Sequence, residues 1–396
     1  MKASYLFIAT LLTFWLTFKI QVCQAQNIQW WTDTSLWVGN FKYNGFVFPP
    51  HVFAIAKYKD DLYVGGEFLT LNNKPCYGFA KFDGKKWTSL DMSLNLTSGL
   101  VNSIYIFNDK LYVGGYFTTS NNNLGINLVK WDGANWTVVS ASAKKPGAVQ
   151  ELADYNGELY AAGYFTELNG KKIKSIAKLS NGEWVPAKVY PRDGKGAKSE
   201  EFVNEGWVQV GKGGANSMIR ALCVYKGELY AGGDFSKIGG IKAKGIAKWN
   251  GVKWSALGGN KINSKYYNVN ALCVYKNKLL IGGDLYKVGN DSADIAIYDG
   301  VKMEPLLPDL KDVRAFAVYK DTLYASGMTK RITGYCGVFK WYGSQWHPAF
   351  SELKAGYAYT FAQDSSGGLY IGGNGKFKLK NGKTSNLLIG LLTNSK

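Results

Sequence analysis

Apolar and polar positions along this chain follow one pattern that recurs seven times. Each copy has an apolar stretch, a tight turn such as Lys226-Gly227, and a second apolar stretch that ends in glycine, in most copies a glycine pair. Short apolar runs rich in β-branched and aromatic residues, separated by such turns, predict β-hairpins. The second stretches cover residues 62–66, 111–115, 159–163, 229–233, 279–283, 323–327 and 369–373.

A second hairpin follows in most copies. In the fourth copy, residues 245–249 and 254–257 form it, and Asn250-Gly251 marks the turn. The second stretches of successive copies lie 44 to 70 residues apart. Four strand signals within a period of this length are typical of a β-propeller blade.

The pattern predicts an all-β fold: one domain, residues 26–396, forming a seven-bladed β-propeller of four-stranded antiparallel blades. The last copy has no fourth apolar stretch after Leu391, whereas residues 28–39 hold an unassigned tryptophan-rich stretch. We therefore expect an N-terminal strand to close the ring, which would protect the sheet edges. Residues 185–206 interrupt the third copy and are predicted to be an insertion.

The first 25 residues have the pattern of a secretory signal peptide. Lys2 precedes an apolar run over residues 5–18, and small residues precede a cleavage point after Ala25. We therefore expect residues 1–25 to be removed and the mature chain to be secreted or held at the cell surface. No membrane span is expected after cleavage.

Charge and cysteines refine this picture. The chain has 47 basic and 29 acidic residues, for a net charge of +18, but its lysines are scattered. This indicates a solvated surface without a specific nucleic-acid site. Cys223 and Cys273 occupy the same position in neighbouring copies, where buried free thiols are expected rather than a disulfide framework.

The repeats resemble those of kelch-type propellers. Gly114-Gly115, Trp131 and Trp136 carry that resemblance, and the segments LYVGGYF and LVKWDGANW are similar to secreted bacterial repeat proteins related to the galactose oxidase propeller. The resemblance implies the fold but no particular activity. A copper site of that type needs paired histidines, and His51 and His347 are predicted on opposite faces. We therefore expect no metal, no cofactor and no catalytic residue.

One set of polar residues is the candidate site. It stands just after the start of each first strand, where only the first copy has an apolar residue, Phe53. First strands line a propeller axis, so this set is expected to ring one mouth of the channel, together with Glu151. The predicted ligand-binding residues are Asn102, Gln150, Glu151, Arg220, Asn270, Arg314 and Thr360. The alternative is that they are ordinary solvated strand ends.

The predicted function is a secreted, non-catalytic, monomeric binding module. Long variable connections emerge on the same face as the candidate ring, and such loops on a rigid scaffold commonly carry binding. Two of the chain's four arginines stand in the ring, and a guanidinium holds a carboxylate with two parallel hydrogen bonds. We therefore expect an extracellular protein or an acidic glycan as ligand. The alternatives are a polysaccharide-active lyase or oxidase and a structural cell-surface protein.

Overall fold

The computed structural model describes residues 28–30, 41–43, 46–48, 50–71, 74–90, 96–119, 125–142, 147–169, 171–179, 207–211, 213–257, 262, 268–307, 310–329, 335–350, 353–363, 368–378 and 384–392. The predicted signal peptide and residues 185–206 lie outside these ranges. Within them, every regular element is a β-strand. No helix in this part of the chain is long and apolar enough to cross a membrane.

The first strands in the chain are short. They are β1 (Ile28–Trp30) and the hairpin of β2 (Phe41–Tyr43) and β3 (Phe46–Phe48). Blade one then contains β4 (His51–Tyr58), β5 (Asp61–Glu67), β8 (Phe79–Phe82) and β9 (Trp87–Ser89), with the small hairpin β6 (Thr70–Leu71) and β7 (Lys74–Pro75) in one connection. Blade two contains β10 (Leu96–Phe107), β11 (Lys110–Thr119), β12 (Gly125–Trp131) and β13 (Trp136–Ser142).

Blade three contains β14 (Ala148–Tyr155), β15 (Glu158–Tyr164), β16 (Ile176–Leu179) and β17 (Trp207–Gln209). Blade four contains β18 (Ile219–Tyr225), β19 (Glu228–Gly233), β22 (Ile246–Trp249) and β23 (Trp254–Ala256), with the hairpin β20 (Lys237–Ile238) and β21 (Ile241–Lys242) between its middle strands. Blade five contains β24 (Asn268–Tyr275), β25 (Lys278–Asp284), β26 (Ile295–Tyr298) and β27 (Met303–Pro305). Blade six contains β28 (Lys311–Tyr319), β29 (Thr322–Thr329), β30 (Tyr335–Tyr342) and β31 (Gln345–Pro348).

The remaining sheet joins both ends of the chain. It contains β32 (Leu353–Gln363), β33 (Leu369–Lys378) and β34 (Thr384–Leu392), and β1 pairs with β34 over three residues, from Ile28 opposite Leu392 to Trp30 opposite Gly390. The all-β propeller class is confirmed. The predicted count of seven blades is corrected to six blades, each built from one continuous segment, and one composite sheet, because the last copy supplies three strands only. The rest of the predicted closing segment, residues 31–39, lies outside the described ranges.

The glycines that end the second strands bring neighbouring blades into contact. A Cβ atom on Gly232 would lie 2.5 Å from Val269 Cγ1 of the next blade, and one on Gly65 would lie 2.1 Å from Val101 Cγ1. A Cβ atom on Gly233 would lie 2.2 Å from the carbonyl oxygen of Met218 within its own blade. No larger residue fits these close approaches, which explains the recurring glycine pair.

Five of the six blades and the composite sheet have a β-bulge near the start of the first strand. The strand register shifts there by one residue, for example between Ile219 and Ala221 and between Ala358 and Thr360. A bulge leaves one residue unpaired and redirects its side chain. The unpaired residues are Phe53, Asn102, Gln150, Arg220, Asn270 and Tyr359. Blade six has a longer irregular stretch, from Lys311 to Ala315, that includes Arg314.

Tyrosine hydroxyl groups link the blades at the other end of the first strands. The hydroxyl of Tyr225 donates to the carbonyl oxygen of Asn277 in the next blade at 3.0 Å, and that of Tyr155 donates to Gly227 at 3.2 Å. These residues belong to the aromatic positions that recur at constant spacing in the sequence. Glycine contacts near the bulge thus pack neighbouring blades together, and tyrosine hydrogen bonds near the other end of the first strand link blade three to four and blade four to five.

Candidate functional site

The first strands surround a cavity of about 280 Å³ on the propeller axis. Every blade and the composite sheet contribute to its lining, and the bulges lie at this level of the channel. The lining residues are Phe53, Ala54, Ile55, Asn102, Ser103, Ile104, Glu151, Ala221, Leu222, Asn270, Ala271, Leu272, Arg314, Ala315, Phe316, Tyr359, Thr360 and Phe361. Many of these residues are apolar, but the surface that they expose to the cavity is mainly polar, and its polar groups converge from different blades.

The structure brings together five of the seven predicted site residues. Those that line the cavity are Asn102, Glu151, Asn270, Arg314 and Thr360. Gln150 and Arg220 are not part of the lining. Thr360 is also not the counterpart of the other ring residues, because Tyr359 occupies the bulge in the composite sheet.

The two asparagines connect neighbouring blades. The side-chain amide of Asn102 donates to the carbonyl oxygen of Val149 at 3.1 Å, and that of Asn270 donates to the carbonyl oxygen of Val313 at 3.1 Å. The same contact therefore recurs between blades two and three and between blades five and six. This contact between blades explains why asparagine stands at the ring position in blades two and five.

Arg220 is occupied within its own blade. Its Nε and NH2 atoms donate to the two carboxylate oxygens of Asp234, each at 2.7 Å. This bidentate pair neutralises the guanidinium charge and uses the geometry that we expected a ligand carboxylate to use. Arg220 and Arg314 therefore do not form a joint anion-binding arc.

Arg314 belongs to a compact polar and aromatic cluster. Its guanidinium lies 2.9 Å from the Asp312 carboxylate and 5.6 Å from the centre of the Tyr357 ring. The Tyr357 hydroxyl donates to Asp312 at 3.0 Å, and burial, together with a hydrogen bond to Cys336, raises the pKa of Tyr357. The Nε atom of Arg314 is buried and has no hydrogen-bond partner among the described residues. One N–H group of this cluster, next to the cavity wall, is therefore unsatisfied.

Aromatic rings form an arc beside Arg314. Phe53 and Tyr359 have ring centres 5.2 Å apart in an edge-to-face arrangement, and His51 stacks on Phe53 at 5.5 Å. Tyr357 stacks on Tyr359 at 6.2 Å. We call Phe53 and Tyr359, which line the cavity, the aromatic arc. Sequence reasoning missed it because Phe53 was the apolar exception and Tyr359 was displaced by one residue from its true repeat position.

Glu151 is the one acid that lines the cavity. It lies opposite Ala162, at a position where Ala54, Ala221 and Ala271 stand in other blades. Burial raises the pKa of its carboxyl group to about 8, and Glu151 Oε1 accepts a hydrogen bond from the backbone N–H of Leu152 at 3.3 Å. At neutral pH the group is mostly protonated, so it presents a hydroxyl donor and a carbonyl acceptor to the cavity.

The described residues contain no group of three or more His, Cys, Asp or Glu side chains that could hold a metal ion. Cys76, Cys223, Cys273 and Cys336 form no disulfide, and Cys223 and Cys273, which we expected to be buried, are half-buried. Burial raises the thiol pKa of Cys223 to about 12 and that of Cys273 to about 11, so both thiols are protonated and weakly reactive.

These features define a protein of the β-propeller class with an axial ligand-sized cavity. A model of the Rax2 C-terminal beta propeller domain family matches residues 50–201, so this stretch is similar to that family. No protein among curated sequences matches the chain. The match supports a propeller and does not test the kelch-type resemblance, which stays a prediction.

Two solved structures are similar in fold. A puromycin-hydrolyzing peptidase from Mycobacterium tuberculosis is 11% identical with a TM-score of 0.50, over 85% of this chain and 52% of that one. The chain therefore spans about half the length of that peptidase. The β-propeller domain of the Trilobed protease from Pyrococcus furiosus is 11% identical with a TM-score of 0.45, over 85% of this chain and 97% of that one.

Proposed function

We propose that this chain is an extracellular glycan-binding module whose site is the axial cavity. The observation that carries the proposal is the aromatic arc, which lies beside Arg314 at the cavity wall. Aromatic rings offer flat apolar faces, and sugar rings present C–H groups that pack on such faces while their hydroxyl groups bond to polar neighbours. The cavity volume of about 280 Å³ accommodates roughly one or two sugar units.

The polar groups of the site suit hydroxyl recognition better than carboxylate recognition. The Arg220 guanidinium pairs with Asp234 and the Arg314 guanidinium pairs with Asp312, so neither leaves an uncompensated positive charge. Arg314 Nε supplies one donor, and protonated Glu151 supplies a donor and an acceptor. We therefore favour a glycan recognised through its hydroxyl groups over the acidic ligand that the sequence predicted.

The extracellular location is part of this proposal. It rests on the signal-peptide pattern of residues 1–25, and the kelch-type spacing of Gly114-Gly115, Trp131 and Trp136 is compatible with it. A combined array of acidic peptides and of neutral, uronic-acid-containing and sulphated oligosaccharides, probed with residues 26–396, tests the ligand class. Binding of neutral oligosaccharides is the expected result. Binding of acidic peptides alone would instead support a protein ligand.

The aromatic arc gives the matched test. Phe53→Ala and Tyr359→Ala, alone and combined, should weaken binding of the array hit, because each removes a stacking face. Losses of about 1–3 kcal/mol per ring are expected. Tyr342→Ala is the control, because Tyr342 is an exposed aromatic residue outside the cavity lining. Equal affinities of all variants for the hit would place the site elsewhere.

One observation favours a second candidate, a glycan-active enzyme. Glu151 has a raised pKa inside a cavity, and such carboxyl groups serve as general acids in glycoside cleavage. That chemistry usually requires a second carboxylate, and the lining holds Glu151 alone. If the wild-type protein cleaves the array hit and Glu151→Gln does not, the enzyme replaces the binding module as the preferred function.

A further inference from the structure

The end of the propeller opposite the bulges carries the tight turns. They connect first to second strands and third to fourth strands, and they lie side by side: the Nζ atom of Lys226 in blade four donates to the carbonyl oxygen of Asp299 in blade five at 2.7 Å. We define the turn face of blades four to six as residues 226–228, 250–253, 276–278, 299–304, 320–321 and 342–345. This surface lies at the other end of the first strands from the cavity.

Three large apolar side chains project from this turn face. Val252 and Val301 are each 80% exposed and lie in the turn between the third and fourth strands of their blades, and Tyr342 is 68% exposed and ends the third strand of blade six, just before the same turn. The residues that correspond to Val252 in blades one and two are Lys85 and Ala134. Among the described turns, the protruding apolar residues are thus confined to three consecutive blades.

The turn face of blades four to six also carries a net positive charge. It contains six lysines and four carboxylates, of which Glu228 pairs with Lys248 at 2.7 Å and Glu304 pairs with Lys302. The matching turns of blades one and two, residues 59–61, 83–86, 108–110 and 132–135, contain four lysines and five carboxylates, of which Asp61 pairs with Lys81 at 2.8 Å. The excess of lysine therefore coincides with the apolar projections.

The turns hold these side chains in fixed positions. The backbone N–H of Val252 donates to Asn250 Oδ1 at 3.0 Å, and that of Val301 donates to Asp299 Oδ1 at 2.8 Å. Lys276 and Lys320 have left-handed backbone conformations, with φ of 47° and 48°, and their Nζ atoms lie 5.2 and 5.0 Å from the rings of Tyr275 and Tyr319. The surface is therefore preorganised for contact.

We propose that the turn face of blades four to six docks on an anionic lipid surface. Val252, Val301 and Tyr342 would enter the boundary between headgroups and acyl chains, and the surrounding lysines would contact anionic headgroups. The three apolar side chains project separately from three blades. A fluid bilayer accommodates separate side chains between its lipids, whereas a protein partner would need three matching pockets. This inference does not depend on the proposed glycan site.

Vesicle flotation of residues 26–396 tests the proposal. Vesicles of phosphatidylcholine with phosphatidylglycerol should carry the protein, vesicles of phosphatidylcholine alone should not, and added salt should release it. The combined variant Val252→Ser, Val301→Ser, Tyr342→Ser should reduce partitioning roughly tenfold or more, because it removes the inserted apolar groups. A second variant, Lys253→Gln, Lys276→Gln, Lys320→Gln, should reduce it by removing the electrostatic attraction.

The control is Lys85→Ser, Lys86→Ser in blade one, which changes the equivalent turn where no apolar residue projects. It should bind the anionic vesicles as the wild type does, and unchanged melting temperatures should show that all variants fold. Three results would overturn the proposal: no binding of the wild type to either vesicle, equal binding to both, or equal effects of the control and test variants. The first result would point to an acidic protein as the partner of this face.

Discussion

The hydroxyl of Tyr58 in blade one donates a hydrogen bond of 2.9 Å to the carbonyl oxygen of Asp109 in blade two. Tyr155, Tyr225 and Tyr275 make the same contact with the blade that follows each of them. The recurring aromatic residue before the first turn thus links blades as well as filling the core. The pattern of apolar positions does not distinguish tyrosine from phenylalanine here, but the tyrosine hydroxyl group is what links the two blades.

Tyr58→Phe removes this hydrogen bond and leaves the ring in place. The free energy of unfolding should fall by about 1 kcal/mol, since a partly buried carbonyl oxygen loses its donor. Chemical denaturation followed by tryptophan fluorescence measures the change. Tyr342→Phe is the matched control because the Tyr342 side chain is exposed, and a loss of equal size there would contradict the role of the Tyr58 contact.

Gly232→Ala should destabilise the contact between blades four and five. The added methyl group would lie 2.5 Å from Val269 Cγ1, and overpacking of this kind costs about 1–3 kcal/mol. The double variant Gly232→Ala, Val269→Ala should recover part of the loss, because Val269 then no longer carries the clashing methyl group. Denaturation midpoints of the four proteins form a mutant cycle, and additive effects would show that the two residues do not compete for space.

Glu151 should make stability depend on pH. The folded-state pKa of Glu151 is about 8 and lies above the ordinary value of 4.5. Between pH 4.5 and about pH 8, the folded state therefore keeps the proton and the unfolded state releases it. Stability from this group is therefore fully present below about pH 4.5 and is lost as pH rises through about 8. Melting temperatures should fall less over this range in Glu151→Gln. Identical pH profiles would contradict the raised pKa.

The thiols should be free but slow to react. Residues 26–396 contain Cys76, Cys223, Cys273 and Cys336, and burial raises the pKa of the first three thiols. Titration of the unfolded protein without reductant should therefore find four thiols, whereas the folded protein should react much more slowly. Two disulfides would instead leave no reactive thiol after unfolding.

Local spacing predicted the strands and much of the cavity wall. The constant distance from Val101 and Val269 to the following glycine pair predicted their hairpin register, and with it that Asn102 and Asn270 face the axis, where both line the cavity. The spacing failed at the composite sheet. Gln363 pairs with Leu369, whereas the equivalent pair in blade one, Lys57 and Leu62, is one residue closer in sequence. Tyr359 therefore takes the place that the spacing assigns to Thr360.

The partners of the arginines were harder to foresee. Ile219 pairs with Gly233, so the register sets Asp234 opposite Met218, and Arg220 in the bulge reaches Asp234 diagonally across the hairpin. This pairing depends on the bulge, and the ring position by itself does not predict it. The pairing of Arg314 with Asp312 and Tyr357 depends on an irregular first strand and on the composite sheet, which no repeat spacing describes.

The tyrosine contacts always run from one blade to the next, and this direction has a consequence for fragments of the chain. A piece containing several blades would have an unused tyrosine hydroxyl at its last blade and an unused turn carbonyl at its first blade. These two surfaces are complementary and heterologous, so copies of the fragment could join head to tail, as subunits do in open filaments. Proteolytic fragments of this propeller are therefore expected to assemble into chains or to complete a ring from separate pieces.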